Sequence, residues 1–129
     1  MKFLLDTHVL LWVVGDSSRL KPETQRTLAD GDNTIFVSVV SLWEIAVKSR
    51  IGKLEADVAL IAAQLAPASK IQLLGITPRH LIALNNLPIR EPHRDPFDHL
   101  IIAQAICEDM MLVTQDRNAP LYPVQIMVP

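Results

Sequence analysis

Asp6, Glu44, Asp98 and Asp116 lie far apart in the chain, and each stands where an apolar segment stops or a helix starts. Asp6 follows Phe3-Leu4-Leu5, and Asp116 closely follows Met111-Leu112-Val113-Thr114, two short runs with the pattern of buried strands. Glu44 lies in Ser41-Leu42-Trp43-Glu44 and Asp98 in Asp95-Pro96-Phe97-Asp98, each opening an apolar helical stretch. Carboxylates brought together repel and raise one another's pKa unless a positive charge sits between them. A hard divalent cation meets that need, because Mg²⁺ takes oxygen ligands at about 2.0–2.1 Å and Mn²⁺ accepts a similar set. Zinc is the weaker match, since there is one cysteine and no histidine pair at ligand spacing. The chemistry that best uses such a site is phosphate-ester hydrolysis, in which metal lowers the pKa of an attacking water and neutralises the leaving oxygen. Without a Gly-rich phosphate loop, the reading is a nuclease rather than a nucleoside-triphosphate hydrolase.

Each acid also has a purely structural explanation. Asp6 suits a helix N-cap, and Ser41 with Glu44 has the Ser-x-x-Glu spacing of a capping box. Asp95 is a natural N-cap with Pro96 at the first helical position, which puts Asp98 in the first turn, facing the positive end of the helix dipole. Asp116 fits a turn before Arg117. On the residues alone, both explanations stay open.

The elements that carry these acids alternate. Strands are expected at Lys2–Asp6, Thr34–Val37, Ile71–Ile76 and Met111–Thr114, with a last edge strand within Tyr122–Val128. Between them the spacing predicts a helix over Val9–Val14 with Thr7 as its cap, and another from Pro22 to Ala29. A third is capped by Ser41, and a fourth covers Glu55–Ala66 and ends at Pro67. Thr77-Pro78 opens a fifth, and the sixth follows Asp95. Pro88 and Pro92 keep Arg90, Glu91, His93 and Arg94 on an irregular loop. Such alternation implies an α/β fold with a parallel sheet covered on both faces, and sites in these sheets lie at the carboxyl ends of the strands. Asp6 and Asp116 are there, and Glu44 and Asp98 belong to the same rim.

A chain of 129 residues with 50% hydrophobic content suits one domain, residues 1–129, with its own core. The net charge of -2 does not favour a nucleic-acid partner. Setting four metal-facing acids aside, however, leaves ten acids against twelve bases, so RNA is permitted. Lys48, Arg50 and Lys53 either steer RNA or form a solvated helix end. The apolar run Val9–Val14 is too short to span a bilayer and the N-terminus lacks signal-peptide regions, so the expectation is a cytoplasmic protein with no membrane partner. Cys107 reads as a core residue without catalytic work, and Trp12 and Trp43 as core or dimer surface.

Four segments together resemble the signature of PIN-domain ribonucleases, and more narrowly the VapC-type toxins of type II toxin-antitoxin systems. They are Leu5-Asp6-Thr7-His8, Ser38 through Ile45, Asp95-Pro96-Phe97-Asp98 running into Leu100 through Ala105, and Leu112 through Asp116. The order is right and the match covers essentially the whole chain. The resemblance implies a three-layer α/β/α PIN-like fold with a central, mainly parallel sheet of four to five strands. It also implies Mg²⁺- or Mn²⁺-dependent endonuclease activity on RNA, a homodimer, and inhibition by a cognate antitoxin protein. Carried over position by position, it makes Asp6, Glu44, Asp98 and Asp116 the catalytic and metal-holding acids. Ser41 and Thr114 match small hydroxyl positions of the pattern that hold a carboxylate or a water, and Thr7 is placed beside them. Asp95 is assigned to capping and to support of the site, and His93 and Arg94 to phosphate contact.

Two other readings fit parts of the chain. One is a PIN-fold module that binds RNA without cutting it, and the intact acid set argues against that. The other is a phosphatase with Asp6 as nucleophile, a chemistry that usually wants a second Asp where this chain has His8.

Overall fold

Phe3, Leu4 and Leu5 are buried on both sides of one strand, which marks β1 (Lys2–Leu5) as the middle of the sheet. In the computed structural model, which describes residues 1–65, 69–90, 93 and 95–129, it is flanked by β2 (Thr34–Ser38) and β4 (Met111–Val113). Beyond these lie β3 (Ile71–Leu74) and β5 (Ile126–Met127), giving a five-stranded sheet in the order β3-β2-β1-β4-β5. Every strand pair is parallel.

Alternation along the strands sorts the core into two layers. Phe3, Leu5, Ile35, Val37 and Val113 point to one face, where they meet Val9 and Leu10 of α1 (Thr7–Gly15) and Ile45 of α3 (Val39–Arg50). Leu28, with Leu20 just before the helix, brings α2 (Pro22–Ala29) onto this face, and Ile61 brings α4 (Val58–Gln64). Leu4 and Leu112 point the other way, onto Leu100, Ile101 and Ile102 of α6 (Pro96–Cys107), with α5 (Pro78–Asn85) packed alongside. Leu100 through Ala105 are all buried, so α6 is buried around its whole circumference, with Gln104 as the one polar side chain in that run. The result is the expected three-layer α/β/α sandwich. Among the described residues, no helix is long and apolar enough to cross a membrane.

The connections create the site. The chain moves from β1 outward to β2 and β3, then crosses back to lay β4 on the opposite side of β1. Ligands in open α/β sheets bind where this reversal opens a crevice beyond the carboxyl ends of the strands. Asp6 ends β1 there, and its N–H donates to Val113 O at 3.1 Å, holding the two strand ends together.

Several boundaries differ from the sequence expectation, for local reasons. Asp6, not Thr7, caps α1, and the helix begins at Thr7. Ser38, not Ser41, caps α3 by accepting from Val40 N–H at 3.0 Å, so Val39 and Val40 form a first helical turn despite their β-branched side chains. Glu44 then lies mid-helix and the capping box does not exist. Asp57 caps α4 through Ala59 and Leu60 N–H, which starts that helix at Val58 rather than Glu55. The last strand is only two residues long, because Tyr122 follows a 3-10 turn (Ala119–Leu121) and Pro123 has no N–H to give a ladder. Cys107 is half-buried rather than in the core. The expected helix end at Ala66-Pro67, and Glu91, Pro92 and Arg94, lie outside the described residues.

One buried polar network fixes α5 and α6 to the sheet. Ser38 Oγ donates to Gln104 Oε1, and Gln104 Nε2 donates to Gly75 O at 3.2 Å. His80 Nδ1 accepts the Thr77 N–H at 3.0 Å, which leaves Nε2 to donate to Glu108 Oε2 at 2.7 Å. Each polar atom of this network is therefore satisfied within the fold.

Candidate active site

Asp6, Glu44, Asp98 and Asp116 all line one cavity of about 670 Å³ beyond the carboxyl ends of β1 and β4. Asp6 reaches it from the end of β1. Its Oδ1 accepts the Val9 N–H at 2.9 Å and its Oδ2 accepts the Thr114 hydroxyl. It is therefore a cap and a cavity-lining acid at once, since each carboxylate oxygen has a second lone pair. Burial pushes its pKa up, and the charge of Asp116 adds to that, while the Thr114 and Val9 hydrogen bonds work against it.

Glu44 is only 3% exposed, an unusual place for a glutamate. Its Oε1 accepts the Thr7 hydroxyl at 2.6 Å, and its Oε2 pairs with the Lys48 ammonium one helical turn on. Thr7 is within 3.0 Å of the buried Ser41 hydroxyl as well. Lys48 lines the acid cavity, and its hydrogen bond to Glu44 raises its pKa, with the charges of Asp95 and Asp98 contributing. It is a countercharge inside the site rather than part of a solvated helix end.

Asp98 sits in the first turn of α6, capped by Asp95, whose Oδ1 accepts from Phe97 N–H at 2.9 Å and Asp98 N–H at 3.4 Å. Burial, then the neighbouring charge of Asp95, push the Asp98 carboxyl up to about 7. Asp95 lines the same cavity while acting as the cap. Asp116 is held by the loop after β4: its N–H donates to Thr114 Oγ1 at 3.0 Å, and its Oδ1 accepts Asn118 N–H at 2.9 Å.

His93 is 5% exposed and faces inward. Its Nε2 lies 3.3 Å from Asp98 Oδ2 and 3.7 Å from Asp116 Oδ2, and its Nδ1 is 2.8 Å from the Tyr122 hydroxyl. Burial raises the Tyr122 pKa, so that group stays a hydroxyl. The tightest group of potential metal donors among the described residues on this rim is His93 with Asp98 and Asp116, whose ligand atoms lie within 4.8 Å of one another. Asp6 and Glu44 face the same cavity from outside that group. Arg94 lies outside the described residues.

Carboxylate oxygens dominate this donor set, and two of the acids are held above their usual range by burial and mutual repulsion. Such a set fits a hard divalent cation, which relieves both effects. Trp43, exposed beside Glu44, stacks edge-on against Phe97 at 4.7 Å on the cavity's flank and is not a core residue. The sequence named Lys48 only as steering RNA or as part of a solvated helix end, not as a partner of Glu44, and it gave Tyr122 no role in the site. Lys48 was signalled by its position four residues after Glu44. Tyr122 had no signal, because only the fold brings it to His93.

The chain is similar to known proteins in sequence and in fold. Residues 3–124 match the model of the PIN domain. Ribonuclease VapC22 of Mycobacterium tuberculosis is 30% identical over 115 residues, covering 89% of this chain and 87% of that protein. Among solved structures, VapBC2 from Rickettsia felis bound to a DNA fragment from their promoter has a chain with TM-score 0.72 at 19% identity, covering 98% of both chains. DNA-bound VapBC from Salmonella typhimurium gives 0.69 at 18% identity, covering 98% of this chain and 97% of that one. These last two likenesses concern the fold. By the family model and by its relative in M. tuberculosis, this chain belongs to the PIN-domain family.

Proposed function

We propose that this chain, as a single nuclease domain, is a metal-dependent endoribonuclease and the toxin of a toxin-antitoxin pair. The observation that carries the reading is the convergence of Asp6, Glu44, Asp98 and Asp116, from four different elements, into one cavity at the reversal point of the sheet. The likeness to Ribonuclease VapC22 supports RNA as the substrate class.

Asp6, Asp98 and Asp116 would present oxygens to Mg²⁺ or Mn²⁺, with Glu44 lining the same cavity beside them. A bound divalent cation supplies a lowered pKa for the attacking water and charge neutralisation at the leaving oxygen. The chain's own groups do the rest. Thr114 and the α1 N-terminus fix Asp6 through one donor on each oxygen. Thr7 and Lys48 hold Glu44 in the same manner, and Lys48 also places a positive charge where an RNA phosphate approaches. Asp98, pushed up to about 7, is the acid whose proton must leave before the site can hold a cation.

The VapBC likenesses support a cognate antitoxin as protein partner, and a cytoplasmic setting accords with both. A homodimer is supported by exposed apolar side chains on the open sheet edge and the helix after it, Leu73 on β3 and Leu81 and Ile82 on α5. A monomeric sedimentation profile at micromolar concentration counts against the dimer. The activity is tested by incubating RNA with the purified chain in Mg²⁺, then in excess EDTA. Cleavage that EDTA abolishes and Mn²⁺ restores supports the reading. Binding without cleavage replaces it with a non-cutting RNA module, and a trapped aspartyl-phosphate on Asp6 replaces it with a phosphatase.

A further inference from the structure

His93, His99 and Tyr122 form an aromatic cluster behind the acid cavity. The His93 ring meets the His99 ring edge-on at 4.5 Å and the Tyr122 ring at 5.4 Å. The backbone of His93 is pinned from both sides: its N–H donates to Arg90 O at 3.0 Å, and its carbonyl accepts from His99 Nε2 at 2.9 Å. A loop residue is thereby fixed against the first turn of α6.

The ring itself has one consistent hydrogen-bond orientation. When Asp98 and Asp116 are both ionised, the state in which they would hold a cation, they only accept, so the His93 Nε2 that faces both carries a proton. In a neutral imidazole this leaves Nδ1 as an acceptor, and the Tyr122 hydroxyl, 2.8 Å away, donates to it. With the reverse tautomer, the Nε2 lone pair points at two carboxylates. Tyr122 does not line the acid cavity. It lines a second cavity of about 530 Å³ on the other side of the cluster, and His93 is the wall common to both.

We infer that Tyr122 and His93 are positioning residues for the metal-holding acids: the Tyr122 hydroxyl fixes the His93 tautomer, and His93 Nε2–H holds Asp98 and Asp116 side by side. This rests on the reading of those two acids as metal holders. Tyr122 does not line the acid cavity, so it is assigned a role that acts through His93. Partners of this kind around a metal change affinity or activity by about 10–100-fold when removed.

The test is Mn²⁺ binding by titration calorimetry on the full chain, alongside KM and kcat for RNA cleavage. Tyr122→Phe keeps the buried ring and loses only the hydroxyl. It is expected to weaken Mn²⁺ binding about tenfold and lower kcat while leaving KM for RNA unchanged. His93→Gln, whose amide N–H can reach the position of Nε2–H, is expected to retain more Mn²⁺ affinity than His93→Ala. A Gln has no ring tautomer to fix, so adding Tyr122→Phe to His93→Gln is expected to cost little more. Tyr122→Phe binding Mn²⁺ as tightly as a wild type that binds it and cleaves RNA overturns the inference alone. So does a Tyr122→Phe loss that is undiminished in the His93→Gln background. A wild type that binds no Mn²⁺ overturns it together with the metal reading.

Discussion

The Thr7 hydroxyl donates to Glu44 Oε1 at 2.6 Å, joining the first residue of α1 to the middle of α3 across 37 positions of sequence. Both residues are buried, and Thr7 also contacts Ser41. Thr7→Val keeps the shape and removes the donor from a charged acceptor. The expected loss is about 1.5–3 kcal/mol of unfolding free energy, measured by urea titration. Thr7→Ser retains the hydroxyl and is expected to lose less than half as much.

The metal-free protein has an inverted pH response at this site. Folded Asp98 keeps its proton up to about 7, whereas in the unfolded chain it ionises near 3.8. Between those values the folded state binds more protons, so this group's contribution to stability is full at low pH and is lost as pH rises through the folded value. Burial raises the Asp6 pKa too, and the sign is the same. Urea unfolding in EDTA is expected to show this contribution falling between about pH 4 and pH 7 and levelling off above that, with Mg²⁺ reversing the trend. Asp98→Asn is expected to flatten the slope in EDTA.

Asp95 separates two roles in one side chain. Asn is as good an N-cap as Asp, so Asp95→Asn is expected to leave α6 and overall stability nearly unchanged. The charge of Asp95 is the second cause, after burial, of the raised Asp98 pKa. Its removal is expected to shift the acid limb of the cleavage pH profile to lower pH. Asp95→Ala removes the cap as well, at a cost of about 0.5–2 kcal/mol in thermal or urea unfolding.

Gln104 is fully buried in α6 and bridges Ser38, Gly75 and His80. Gln104→Leu leaves the buried Ser38 hydroxyl without its acceptor and the Gly75 carbonyl without its donor, while His80 Nδ1 keeps the Thr77 N–H. The expected cost is about 1–3 kcal/mol for each group left unsatisfied, read by urea unfolding, with cleavage per folded molecule unchanged.

Much of this was legible in the residues because local chemistry and the fold agree. Asp95 caps α6, Pro96 opens it and Asp98 occupies its first turn, as a charged loop running into an apolar helix dictates. The alternation of short apolar runs with helical patterns led to a parallel sheet of five strands with helices on both faces. The misreadings came where two local solutions were close in energy. Ser38 and Ser41 are both good caps, and Val39-Val40 favours a strand until tertiary packing pulls it into α3, which moves Glu44 out of the capping position that explained it without a metal. Long-range partners were not legible at all. Nothing near Tyr122 in sequence points to His93, and the buried place of His93 follows from packing that no local pattern encodes.

The central claim is that these acids form a metal site that cuts RNA, and Asp98→Asn tests it most directly. The substitution keeps size and side-chain geometry while removing the carboxylate. RNA cleavage in Mg²⁺ is measured for wild type and Asp98→Asn at matched, verified folding. The account predicts a loss of at least about a hundredfold, with near-normal unfolding. A well-folded Asp98→Asn that cleaves as fast as wild type contradicts it.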